Sequence, residues 1–279
     1  MAVAAKSPQA ESTKSPRTAQ ILTVILIVLS AVAAAAGIFL PDLYQGTEWL
    51  IGASRGTDVY TLAVAVPAMI VTLFFLRRGA LRPTLVMTGV VAYMLYTFIG
   101  TAMTYAFNGF FPVYVATMSV SFFTLAALIG TIDLGRIDQR FDATAPRKPM
   151  AIFLIVNAVM LAMMEMGQMM PYYSTGELPQ PMRLAASTIF YPLVLDLGMI
   201  MPLSLLAGIW LWQRRPWGYL LTSCMLIKSA TMGLALLATN FYGWLAGIQT
   251  DSIEWLIGYG VIGFGGLAMS VWFFRHCRS

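Results

Sequence analysis

Residues 191–217 read YPLVLDLGMIMPLSLLAGIWLWQRRPW. A run of more than 20 mostly apolar positions carries a single charge, Asp196, before Gln213 breaks it and Arg214-Arg215 closes it. At a rise of about 1.5 Å per residue, roughly 20 apolar residues match the hydrocarbon core of a bilayer. Arginines at one end of such a run mark the cytoplasmic side. The stretch shows none of the alternation expected of an outer-membrane strand. It therefore reads as a membrane-spanning helix with one buried acid.

Seven further apolar runs surround it. Together the eight predicted spans are Ile21–Leu40, Val59–Leu76, Thr84–Phe107, Tyr114–Ile132, Met150–Met169, Thr188–Trp212, Trp217–Ala238 and Trp255–Phe274. Composition agrees: 59% of the 279 residues are hydrophobic and 10% are charged, against about 25% charged in a soluble domain. A soluble globule is excluded, because so few charges cannot coat its surface. The fold class expected is all-α, a polytopic helical membrane protein with eight transmembrane helices.

Charge placement gives the topology. With a cytoplasmic N-terminus, the inner side holds 14 of the 17 Lys and Arg, among them Arg77, Arg78, Arg82, Arg136, Arg140, Arg214 and Arg215. The outer side holds Arg55 and Arg183, and Lys228 lies within a span. This bias follows the positive-inside rule through an even number of spans, so both termini are expected in the cytoplasm. The net charge of +5 then needs no nucleic-acid partner, since basic residues beside anionic lipid headgroups explain it. Residues 1–19 are polar and lack apolar periodicity, which predicts a disordered tail. A cleaved signal peptide is an alternative for the first span, where Ile21–Val32 precedes Ala33-Ala34-Ala35-Ala36-Gly37.

Punctuation recurs along the chain. Asp58 precedes Arg77-Arg78-Gly79 by 19 residues, Asp196 precedes Arg214-Arg215-Pro216-Trp217-Gly218 by 18, and Pro67 and Pro202 fall in between. The expected organisation is a first four-helix repeat over 20–133, a cytoplasmic linker over 134–149, a second parallel repeat over 150–274 and a tail over 275–279. Duplicated transporters often place a pocket between halves near the bilayer midplane. Asp58, Pro67, Arg78-Gly79, Tyr93, Tyr96, Phe107-Asn108, Phe111, Tyr114 and the stretch from Asp196 to Gly218 resemble a group of uncharacterised bacterial eight-span integral membrane proteins with no assigned function. The resemblance implies this architecture alone; the expected location is a bacterial inner membrane.

Ionisable residues within a span cost at least about 2.5–3.5 kcal/mol each, so they are informative. Counting helical rise from the outer face, Glu165 lies roughly 6 Å deep, Asp196 roughly 12 Å and Lys228 roughly 15 Å. Two readings stay open. Asp196 and Lys228 form an ion pair that ties the sixth and seventh spans together, or they stand in a water-accessible pocket that binds a proton, an ion or a polar solute. Polar stripes occur on the third span (Tyr93, Thr97, Gly100, Thr104, Asn108), the fourth (Tyr114, Thr117, Ser121, Thr124) and the fifth (Asn157, Glu165, Gln168). Each lies on a single helical face, and each could equally hydrogen-bond a dry bundle.

Other signals carry less. The methionines Met160, Met163, Met164, Met166, Met169 and Met170 could suit Cu(I), but methionine also fills irregular gaps, and Cys224 and Cys277 lie far apart. Residues 258–263, GYGVIG, spell a dinucleotide fingerprint inside a span, where glycines serve close helix packing instead. Residues 52–56, GASRG, spell a nucleophile elbow, yet His276, the single histidine, lies at the opposite membrane face. A lysine on the penultimate span with an aspartate nearby matches the retinal Schiff-base arrangement, although its flanking residues do not look like an opsin. No cofactor, metal or catalytic residue is expected. Loops under 20 residues leave no room for an ATPase, so any energy would come from an ion gradient or a partner subunit. The expected function is transporter-like binding or passage of a small solute or ion in an outward-facing polar pocket lined by Tyr93, Tyr96, Asn108, Glu165, Asp196 and Lys228. The alternative is a non-catalytic membrane accessory protein whose polar core is structural.

Overall fold

The computed structural model describes residues 17–104, 107–187, 190–248 and 250–278. Eight helices in it are long and apolar enough to cross a membrane: α1 (Arg17–Phe39), α2 (Glu48–Leu76), α3 (Leu81–Thr104), α4 (Phe111–Ile129), α5 (Arg147–Thr175), α6 (Tyr191–Trp212), α7 (Pro216–Leu245) and α8 (Ile253–Arg275). No strand occurs among the described residues. The chain is an all-α, multi-pass membrane protein.

Most of the expected tail, residues 1–16, lies outside the described residues, and Arg17 to Ala19 already form the first turn of α1. The second span is also longer than its apolar run. Thr47 caps it, its hydroxyl accepting from the Leu50 N–H at 3.3 Å, which satisfies a first-turn donor. The polar stretch from Glu48 to Asp58, expected as loop, is therefore helix. It survives because Gly56 lets it lie flat on α7, where a Cβ would come within 2.6 Å of the Thr239 Cα, and Gly52 leaves room for Ile248 just beyond α7.

α3 and α7 form the centre. They are the most buried spans, and they cross where Gly89 meets Ile227 and Cys224. Around them, α1 packs on α2 and α4, α4 packs on α3, α5 packs on α6, and α8 lies along α7. The last contact explains the GYGVIG letters. A Cβ on Gly233 would overlap the Gly263 backbone, so these glycines bring two main chains together.

Two spans are locally unwound. α2 turns π-helical over Thr61–Ala65 and α6 over Asp196–Ile200, and each resumes α geometry at the residue before a proline, Pro67 or Pro202. Such bulges widen the helix by one residue per turn and recur at functional sites. Positive φ follows at Gly79 (71°) and Arg214 (57°), where the chain turns into α3 and α7. Asp196 opens its π segment, whereas Asp58 lies three residues ahead of Thr61. The two aspartates thus do not occupy matching positions relative to this feature.

At the basic end the linker and the C-terminus are tied together. Phe141 bridges to Cys277 and stacks on Phe273 at 4.7 Å, Arg82 donates to the Cys277 carbonyl, and Arg278 pairs with Asp142 at 2.6 Å. Burial pushes the Cys277 thiol up to about 11, with Arg82 opposing the shift.

Candidate functional site

α5 and α8 make little contact, and a cavity of about 660 Å³ occupies the space between the last four helices and the loop-end half of α2. It runs from Ser204 and Lys228 in the middle of the bundle to Glu177, Arg183 and Ser252 at the end opposite the basic residues. Its size falls in the range of small-molecule pockets. Tyr96 of α3, Glu165 of α5, Asp196 of α6 and Lys228 of α7 all line it.

Each side chain is placed by local structure. The π turn at Asp196 rotates its carboxylate inward at the depth of the cavity. Lys228 lies on the buried face of α7, and Glu165 on the buried face of α5, three residues before Gln168. Glu165, Asp196 and Lys228 are 5%, 7% and 4% exposed, so none reaches bulk solvent as a surface charge would.

The ion pair between Asp196 and Lys228 does not form. Among the described residues no carboxylate oxygen lies within 4.0 Å of a Lys228 nitrogen. The ammonium instead sits 4.3 Å from the centre of the Tyr96 ring, where the ring's negative face attracts it. Asp196 Oδ1, Asn157 Nδ2 and the Tyr96 hydroxyl are buried without a hydrogen bond of good geometry, although the Tyr96 hydroxyl stands beside the Asp196 carboxylate. Gln168 donates to Glu165 at 2.9 Å. Nearer the mouth Asp251 accepts from Asn240 at 3.1 Å and from Tyr259 at 3.1 Å, while Arg183 pairs with Glu177 at 3.1 Å.

Tyr93 and Asn108 lie elsewhere. Tyr93 packs edge-on against Tyr60 at 5.8 Å, in the core of the first four helices. Asn108 donates to the Leu43 carbonyl at 3.2 Å and accepts from the Phe110 N–H at 2.8 Å, which shapes the turn into α4. The α4 stripe stays away from the cavity too: Thr117, Ser121 and Thr124 donate to carbonyls one turn back, at 2.6–2.7 Å. Of the methionines, Met163 and Met164 line the cavity, Met163 being largely exposed there, and Met166 and Met170 are exposed away from the lining.

The first four helices hold a second acid, half-buried. Asp58 Oδ2 accepts from the Tyr44 hydroxyl at 2.7 Å, and no described cation lies within 4.0 Å of it. Gly37 makes room for it, since a Cβ there would overlap Asp58 Oδ2. Asn157, Gln168, Trp49, Trp255, Asn240 and Asp251 join the cavity without having been expected there. Asn157 and Gln168 share a predicted helical face with Glu165, which is the signal that finds them; the others give none.

The fold defines a polytopic α-helical membrane protein, with a cavity among its last four spans. Neither protein-family profiles, nor curated proteins, nor solved structures give a match to the chain. Its chemistry is therefore read from its own residues.

Proposed function

We propose that the protein binds a small solute or ion in this cavity and takes part in moving it across a bacterial inner membrane, with both termini in the cytoplasm and the cavity mouth outside. One observation carries the reading: Asp196 Oδ1 is buried, unpartnered and beside a chamber that also holds Lys228 and Glu165. A buried charge without a partner is costly unless water or a ligand completes it. The basic residues at the opposite end support the orientation.

The reading extends to a parallel repeat of two four-helix units. Thr61 and Asp196, Pro67 and Pro202, and Gly79 and Arg214 share one offset of 135 residues, which sets the start of α3 at Leu81 against that of α7 at Pro216. In that register Tyr93 corresponds to Lys228, and Gly89 to Cys224. A two-fold relation brings equivalent residues together at its axis, and Gly89 and Cys224 meet where α3 crosses α7. The structural alternative is favoured in the first unit alone, where hydroxyls bond within their own helix and Asp58 has Tyr44.

The test is thiol accessibility from outside the cell. In a Cys224→Ser, Cys277→Ala background, Ser229→Cys should react with a membrane-impermeant methanethiosulfonate, and Ser121→Cys should not. Protection of both, in a folded protein, would reject a hydrated outward-open cavity.

A further inference from the structure

This inference rests on the reading that the cavity holds a solute, and it names the solute's chemistry. In a chain with a formal charge of +5, the residues lining the cavity run the other way: four carboxylates, Glu165, Glu177, Asp196 and Asp251, face two cations, Arg183 and Lys228. Arg183 and Glu177 neutralise each other at the mouth. Asp251 is held by Asn240 and Tyr259, with no cation beside it. At the deep end of the cavity, the carboxylates of Glu165 and Asp196 share one ammonium, which is already engaged with the Tyr96 ring. With both carboxylates ionised the deep end is one positive charge short, and Asp196 Oδ1 is an acceptor that an N–H or O–H donor would complete.

The walls are apolar and wide. Trp49, Leu161, Met164, Leu236, Trp255 and Ile262 line the cavity together with the charged residues. A bare metal ion would leave that surface and most of the 660 Å³ unfilled. An anion would meet a surplus of carboxylates at every depth.

We propose that the occupant is a protonated organic amine with an aryl or alkyl body, its N–H groups donating to Asp196 Oδ1 and to the Glu165 carboxylate while the body packs between Trp49 and Trp255. Lys228 is then not the anchor for an anion. Its ammonium on the Tyr96 ring offsets some of the acidic charge and keeps the empty site from carrying two uncompensated carboxylates.

The test uses three probes of one shape on the full chain in lipid nanodiscs: 2-(2-naphthyl)ethylammonium, 2-(2-naphthyl)ethanol and 2-naphthylacetate, with binding measured by calorimetry. The ammonium should bind at least about tenfold more tightly than the alcohol, with the carboxylate weakest. Asp196→Asn and Glu165→Gln should each weaken the ammonium about tenfold and leave the alcohol unchanged, so retained alcohol binding reports an intact fold. Tightest binding of the carboxylate, or equal binding of all three, overturns the proposal. Absence of all binding also overturns it; if Ser229→Cys is still labelled from outside, the hydrated cavity stands and only the amine assignment falls.

Discussion

The first four helices and the last four use the same elements to opposite ends. Each set has a span interrupted by a π turn ahead of a proline, and each contributes one central helix. In the first set α1 closes on α4, and the half-buried acid, Asp58, is met by Tyr44 and given room by the absence of a side chain at Gly37. In the last set α5 and α8 touch only in places, Phe153 against Gly265 and Met164 against Gly258, and the buried acid, Asp196, lies beside a cavity. An intramembrane carboxylate is thus accommodated in two ways, by a dedicated donor or beside an unfilled space. The first way serves packing, and under the proposed function the second serves a ligand.

The difference can be broken hardest at the glycines. Gly37→Val drives a branched side chain into the Asp58 carboxylate. With overpacking and a lost hydrogen bond combined, it should destabilise the protein by about 3 kcal/mol or more, read as a large fall in melting temperature in detergent. Gly258→Ala is the matched control on α8, because its added methyl meets only the flexible tip of Met164 at 3.4 Å. It should change stability by less than about 1 kcal/mol, near the helix-propensity difference itself. Equal effects at the two sites would erase the contrast between closed and open units.

Smaller changes sharpen it. Tyr44→Phe removes the donor to Asp58 and should cost about 1 kcal/mol, since a half-buried acceptor loses its partner. Asp196→Asn removes a charge that has no ion pair within 4.0 Å, so its melting point should stay within a few degrees of the parent or rise. A fall for Asp196→Asn as large as that for Tyr44→Phe would mean that Asp196 is structural.

Least dramatic is Cys277, at the basic end. Its thiol, pushed up to about 11 by burial, is almost wholly protonated at neutral pH, and the thiolate is the reactive form. Alkylation by iodoacetamide at pH 8 should therefore be slow in the native protein and rise sharply in denaturant. Fast native reaction would show that the knot of Phe141, Arg82 and Asp142 is open.

The eight spans were legible because lipid demands long apolar runs, and arginine punctuation such as Arg77-Arg78 and Arg214-Arg215 gave their ends. The start of α2 was not, because Glu48 to Asp58 is polar and its helix depends on the Thr47 cap, on Gly56 meeting α7 and on Gly52 meeting Ile248 beyond it. Hydropathy cannot register contacts of that kind. Periodicity found the α5 face of Asn157, Glu165 and Gln168, all of which line the cavity. It could not say which neighbour a face meets: the α4 stripe is dry, and Tyr93 turns to Tyr60 while Tyr96, three residues on, turns to Lys228. The pairing of Asp196 with Lys228 failed for the same reason, since the competing Tyr96 ring comes from a helix more than 100 residues away in sequence.

A cryo-EM map in lipid nanodiscs, at a resolution that shows ordered water, tests the central claim most directly. Expected are an open cavity lined by α5 and α8, density for water or a bound molecule within hydrogen-bonding distance of Asp196 Oδ1, and the Lys228 ammonium over the Tyr96 ring. A closed bundle with no such density, in which Lys228 and Asp196 meet in a direct ion pair, would contradict it.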